Sequence, residues 1–173
     1  MSVRSPAGDT GAAAREARAW AILEDVPDPE IPVLSITDLG IVRYVRCDAD
    51  GQLHVGLTPT YSGCPATEVI RQSVRAALQA HGCADVQLEE VLSPPWSSDW
   101  VSAAGRAKLT AFGIAPPATA VSSPRQLRGT PRIACPRCAS PDTERISEFG
   151  STPCKAHYRC ASCGEPFDYF KCI

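Results

Sequence analysis

Cysteine carries the chemistry legible in this chain of 173 residues, and its nine cysteines are unevenly spread, with six in the last 39 residues. Cys135 and Cys138 form one Cys-x-x-Cys unit and Cys160 and Cys163 a second, with 21 residues between them. Such a turn aims two sulfurs at one point, and two of them complete a tetrahedron around Zn²⁺ with Zn–S bonds of about 2.3 Å. Gly164 follows the second unit, where a tight knuckle turn usually needs glycine. A structural zinc on these four residues is therefore expected, although thiolates also suit an iron–sulfur cluster. Cys154 and Cys172 remain over, either to pack as small buried residues, to cap a second site or to help hold a cluster.

A separate thiol sits in "TPTYSGCPATEVI" (58–70), where a polar turn becomes an apolar run of helical spacing. Pro65 lacks an N–H and has a fixed φ, so it suits the first helical position and places Cys64 at the N-cap. Free amides and the positive end of the helix dipole favour a thiolate there. Ser62 and Gly63 keep the turn small and open to a partner. The bland alternative is a neutral, half-buried cysteine at a helix start. Cys47 and Cys83 read as packing residues. His54 in a strand, His81 at a helix end and His157 in the cysteine-rich tail read as ordinary histidines, which argues against a Cys–His hydrolase. No serine nucleophile elbow, glycine-rich nucleotide loop or Glu-x-x-His motif is present, so the chain lacks the equipment of an oxygenase or a dehydrogenase.

The elements that must position these residues follow from periodicity. Residues 12–26 are Ala-rich with apolar Trp20, Ile22, Leu23 and Val26, and Pro27 stops the helix they predict. Prolines through 27–32 exclude regular structure. Two alternating runs, 41–47 and 52–58, flank the turn "DADG" and predict a β-hairpin. Ile70, Val74, Ala77, Leu78 and His81 lie at helical spacing over 65–81, and Gly82 ends that helix. Residues 84–92 predict a third strand. Asp99 is placed to cap a short helix closed by Gly113. The expected layout is a disordered N-terminus (1–19), an α/β domain (20–113), a Pro/Ser-rich linker (114–132) and a zinc-ribbon-like four-cysteine module (133–173). The fold class is α+β: a short three-strand sheet with flanking helices, then the metal module. The ending "EPFDYFKCI" is aromatic and apolar and has to dock on something.

Composition sets the surroundings. Hydrophobic content of 44% and charged content of 21% fit a soluble globular protein. A formal net charge of −2 gives no electrostatic support for a nucleic-acid or membrane-surface partner. Residues 1–124 carry nine Lys/Arg against fourteen Asp/Glu, and residues 125–173 eight against five, an asymmetry that fits two differently charged modules. No apolar run approaches the roughly 18 residues that span a bilayer, and the N-terminus has no secretory pattern. A cytoplasmic location follows, where thiols stay reduced and cysteines serve metal or redox chemistry rather than disulfides.

The stretches "VPDPEIPVLSITDLGIVR" (26–43) and "TPTYSGCPATE" (58–68) resemble the SufT-like iron–sulfur cluster assembly family. With the tail "CPRCAS…ISEFGSTPCKAHYRCASCGEPFDYFKCI", the chain from about Trp20 onward, apart from the linker, resembles the family of D subunits of the bacterial phenylacetyl-CoA epoxidase. That resemblance implies a non-catalytic accessory protein of a multicomponent ring-epoxidising monooxygenase in aerobic phenylacetate degradation. Other components of such a system carry the di-iron site, and a reductase carries flavin and an iron–sulfur cluster; either is an implied partner. The resemblance makes Cys64 the functional thiol, supported by the motif residues Asp28, Glu30, Asp38, Thr60 and Ser62. A carboxylate there orients a donor or holds iron transiently; the alternative is a turn cap. One thiolate cannot hold a cluster alone, so a labile cluster on Cys64 implies a second chain in a homodimer, or Cys154 or Cys172, as further ligands. The competing reading is a structural adaptor that docks epoxidase components through its zinc module.

Overall fold

The computed structural model describes residues 7–61, 63–83, 85–118 and 133–171, so Ser62, Cys172 and most of the expected linker lie outside it. Its elements are α1 (Ala7–Glu24), β1 (Val42–Cys47), β2 (Leu53–Leu57), α2 (Ala66–Ala80), β3 (Val86–Glu90), α3 (Ala103–Phe112), β4 (Ile114–Ala115), β5 (Thr143–Ser147), β6 (Lys155–Cys160) and β7 (Pro166–Phe170). The class is α+β, as the periodicities require. Contacts divide the chain into two compact units, Met1–Trp96 and Ser97–Ile173.

In the first unit, α1 starts at Ala7, well inside the stretch expected to be disordered. Residues 11–18 are mostly exposed, so burial does not hold them helical; their Ala, Arg and Glu content is intrinsically helix-forming. Burial begins with Ala19, Ile22 and Leu23, spaced i, i+3, i+4. Glu16 ties the helix to the sheet by accepting the Cys47 amide at 2.8 Å. β1 and β2 form the expected antiparallel hairpin, with Val45 opposite Val55. β3 runs parallel to β2, which requires a crossover, and α2 supplies it. Val45, Leu53, Val55, Leu57 and Val86 are buried along the three strands, as are Ile70, Val74 and Leu78 of α2. His81, read into that apolar stripe, is instead exposed, its Nδ1 within 2.8 Å of the Ala77 carbonyl.

Residues 26–41 contain no long element, yet their apolar residues and both aspartates are largely buried, and backbone and side-chain hydrogen bonds hold their turns. Asp28 Oδ1 accepts the amides of Glu30 and Ile31 at 3.0 and 2.8 Å, and Asp38 Oδ2 accepts that of Ser35 at 3.1 Å. Ile31, Leu34, Ile36 and Leu39 are each at most 2% exposed. Trp96 closes the segment by donating its indole N–H to the Leu39 carbonyl at 2.8 Å.

The sheet's other face carries a polar network. Tyr44 donates to Glu89, and His54 bridges Glu89 at 2.8 Å and Asp48 at 3.3 Å. Gly56 lies beneath the Tyr44 ring, where a Cβ would collide with it. The hydrogen bond to Glu89, then that to Asp48, raises the His54 pKa above its ordinary 6.5. Bonds from Tyr44 and then His54 lower that of Glu89, and the Gln52 amide leads in lowering that of Asp48.

The second unit differs from the expected layout. Asp99 lies in a short 3₁₀ turn, Ser98–Trp100, and α3 is capped by Ser102, whose Oγ accepts the Gly105 amide at 2.9 Å. Gly113 closes α3 at φ +91°, as expected. β4 then falls inside the expected linker and pairs in parallel with β7, giving a four-stranded sheet ordered β4-β7-β6-β5. α3 and β4 thus belong with the cysteine-rich region, not with the first domain. A two-residue strand shows no periodicity, and its partner lies over fifty residues away in sequence. Arg106 fixes this connection by donating to the carbonyls of Val101, Pro117 and Ser98 at 3.3, 2.5 and 2.9 Å. The aromatic ending docks within its own unit: Phe167, Tyr169 and Phe170 are buried, with Tyr158 stacked on Phe167 and edge-on to Tyr169.

Two outcomes are expected. Zinc-loaded fragment 97–173 should unfold at higher urea than fragment 133–173, which lacks β4; equal midpoints would show that β4 adds nothing to the fold. For the network, the His54 imidazole should titrate above 6.5 by NMR and move back toward 6.5 in Glu89→Gln. The sign follows from linkage. The His54 contribution to stability is full below pH 6.5 and is lost as pH rises through the higher folded-state value. Those of Glu89 and Asp48 are full above their ordinary 4.5 and 3.8 and are lost as pH falls through the depressed values.

Candidate functional site

Two knuckles with the same backbone plan build the sulfur cluster of the second unit. In the first, the Cys135 amide donates to Ser140 at 2.9 Å and the Ala139 amide returns to Cys135 at 2.8 Å. In the second, the Cys160 amide donates to Glu165 and the Gly164 amide to Cys160, both at 2.9 Å. Each turn needs a left-handed residue just after its second cysteine. Gly164 serves at φ +78°, and Ala139 takes the same role at φ +59° despite its Cβ. Ser140 and Ser162 join the knuckles through their hydroxyls at 2.7 Å.

The four sulfurs lie within 4.8 Å of one another. Cys135 and Cys163 are 3.8 Å apart and Cys138 and Cys160 3.6 Å, far beyond a disulfide bond of about 2.05 Å. A tetrahedron with bonds of about 2.3 Å has edges of about 3.8 Å, so the set fits one tetrahedral ion. Cys135 and Cys160 are buried and belong to the apolar core with Tyr158, Phe167 and Tyr169, whereas Cys138 and Cys163 face solvent. The backbone N–H of Cys163 leads in lowering the Cys160 pKa to about 7. The Ser140 amide pulls Cys138 down, but the Cys163 and Cys160 thiols outweigh it and push it up to about 12. Crowded thiols therefore ionise unwillingly together until a cation arrives. Cys154 is apart from this set, buried at the start of β6 with its sulfur 3.0 Å from Thr152 Oγ1. Cys172 lies outside the described residues.

Cys64 occupies the first unit. Helix α2 starts at Ala66 with Pro65 as its cap, so Cys64 stands one position further out than expected. Its amide donates to the Tyr61 carbonyl at 3.3 Å, and its carbonyl accepts the Thr67 amide at 3.2 Å. The thiol is half-exposed and lines an open recess of about 480 Å³ with Pro65, Thr67, Glu68, Arg71 and Glu90. Of the supporting motif residues, Asp28 and Asp38 act as caps of buried turns, the alternative weighed for them. None of Asp28, Glu30, Asp38 or Thr60 lines the recess. The charged groups that do are Glu68, Arg71 and Glu90; Glu68 ends the motif "TPTYSGCPATE" without being singled out by it, and the other two lie outside the motifs. Glu68 and Arg71 stand one and two helical turns beyond Cys64, a spacing that could have flagged them; Glu90 arrives only through β3 pairing.

Comparison with known proteins adds the following. Residues 16–88 match the family model described as iron–sulfur cluster assembly protein, and residues 119–171 that described as the PaaD zinc beta ribbon domain. Over 154 residues the chain is 54% identical to a protein of Escherichia coli (strain K12) provisionally named as the D subunit of 1,2-phenylacetyl-CoA epoxidase. That match covers 89% of this chain and 91% of the relative. Over 81 residues it is 40% identical to the Fe–S protein maturation auxiliary factor YitW of Bacillus subtilis (strain 168), covering 46% of this chain and 78% of that protein. The crystal structure of a domain of unknown function, DUF59, from Bacillus anthracis superposes with a TM-score of 0.55 at 29% identity, covering 58% of this chain and 96% of the other.

Replacing a buried ligand tests the cluster's structural weight. Cys135→Ser is expected to drop the bound metal from about one ion per chain to near none and to unfold the second unit. The amide spectrum of the first unit should stay unchanged; metal analysis beside NMR reads both.

Proposed function

The chain belongs to the family of D subunits of 1,2-phenylacetyl-CoA epoxidase, and from that membership we propose that it is a non-catalytic maturation component of a phenylacetyl-CoA epoxidase. Its cargo is an iron–sulfur cluster held labile on Cys64, and its clients are the reductase or the di-iron component. The four-cysteine site takes zinc and serves the fold. The observation that carries this reading is a half-exposed thiol lining an open recess, in the domain that matches the iron–sulfur assembly family.

Transfer on this reading is ligand exchange. A client thiolate forms a bond to a cluster iron, the bond from that iron to Cys64 breaks, and Cys64 recovers the proton the client thiol gave up. No electron moves, so no oxidant or reductant is needed. A second copy of the chain supplies a further Cys64 while the cluster is carried. Among the described residues no helix is long and apolar enough to cross a membrane, in keeping with action in the cytoplasm.

A structural adaptor is the second reading, favoured by Ile146 and Phe149, which are 56% and 64% exposed on the ribbon unit. Zinc, iron and acid-labile sulfide in anaerobically purified protein separate the two. Zinc in both wild type and Cys64→Ser, with iron and sulfide in the wild type alone, is the expected result. Zinc alone in both would leave the adaptor, and iron with sulfide in both would move the cluster into the four-cysteine site.

A further inference from the structure

We infer that Arg71 is the group by which the Cys64 recess selects a sulfur-bearing cluster over a bare iron ion, a role that rests on the maturation reading above. Arg71 lines the recess with Cys64 and is tethered across it, one Nη donating to the Leu88 carbonyl of β3 at 3.2 Å. That bond fixes a planar fork of N–H groups between α2 and β3 and leaves the remaining donors for a ligand. Two carboxylates share the recess, Glu68 from α2 and Glu90 from β3, yet among the described residues Arg71 forms no ion pair with either. Glu68 is instead engaged by Gln72 at 3.2 Å. A half-buried, tethered guanidinium without a counter-ion beside a thiol is a standing hydrogen-bond donor for whatever the thiol binds.

The sign of the charge decides the ligand. A bare Fe²⁺ on Cys64 would be drawn to Glu68 and Glu90 and repelled by Arg71. The donors of Cys64, Glu68 and Glu90 are also not gathered as the four converging sulfurs of the second unit are. The sulfides of a cluster, by contrast, are acceptors on its periphery, and N–H bonds to cluster sulfur are among the means by which proteins tune such centres. Arg71 therefore acts as a positioning residue for the sulfur side of the cargo, whereas the two carboxylates are groups that a bare iron ion would seek.

The test uses the full chain, loaded anaerobically with iron and sulfide, in wild type, Arg71→Gln, Arg71→Lys and Glu90→Gln. One readout is the rate at which a chelator bleaches the cluster; the other is binding of Fe²⁺ without sulfide. Arg71→Gln should lose its cluster about tenfold faster, the usual scale for a group bonded to a metal ligand, while binding Fe²⁺ at least as well as wild type. Arg71→Lys should recover part of the retention. Glu90→Gln, at an exposed position, should weaken Fe²⁺ binding without hastening cluster loss, and it decides the matter if Arg71→Gln proves poorly folded by circular dichroism. Equal bleaching in wild type and Arg71→Gln, or Fe²⁺ binding unaffected by Glu90→Gln, would overturn the inference while leaving Cys64 as carrier. A wild type that takes up no more sulfide than Cys64→Ser would overturn both.

Discussion

Four sulfurs brought within 4.8 Å of one another are the constraint on which the second unit is built. Thiolates so close repel, and thiols so close waste the ionisation that the knuckle amides favour, so the arrangement is stable only around a cation. Ligation of a metal ion by four thiolates contributes on a scale that, for structural zinc in small domains, is about 10–16 kcal/mol, more than a small core supplies alone. Cys135 and Cys160 are at once ligands and core residues, which couples metal to packing. The unit then enlarges itself: β4 extends the sheet beside β7, and Arg106 gathers three carbonyls to hold the chain that leads there.

The first unit meets the opposite difficulty. It must bury an irregular stretch of proline-rich chain, and every buried amide there needs a partner. Asp28 and Asp38 answer it by capping turns, and the indole of Trp96 answers it for Leu39. The sequence motif that looks most like a metal-binding set is thus occupied with backbone. The charged groups of the recess come instead from α2 and from the end of β3, where Cys64 precedes α2 and Glu90 closes β3.

This division explains how much could be read from residues alone. The knuckles were legible because their spacing fixes where the sulfurs point, and the hairpin and α2 because their periods of two and 3.6 run long enough to count. β4 was not, since two residues have no period and its partner comes from the far end of the chain. α1 begins at Ala7, ahead of the predicted helix at 12–26, in a stretch that carries no apolar stripe to mark it. Glu90 escaped for the same reason as β4: only a parallel pairing brings it to Cys64. Asp28 and Asp38 were visible as acids, but their role depends on which amides lie within reach, and that is a property of the turn.

The two thiol sites also differ in what they can do with a metal. A closed set of four converging thiolates leaves no position for an incoming ligand, which suits retention and opposes exchange. A carrier needs the reverse: too few ligands of its own, and room for the next owner's. Cys64 offers a single sulfur in an open recess, with the Arg71 guanidinium and two carboxylates around it and, among the described residues, no second thiol lining it. Affinity there must come from many weak contacts rather than from a completed shell, and weak contacts are lost one at a time as a client's thiolates arrive. On the proposed reading, lability is therefore built into the same geometry that makes the site look incomplete.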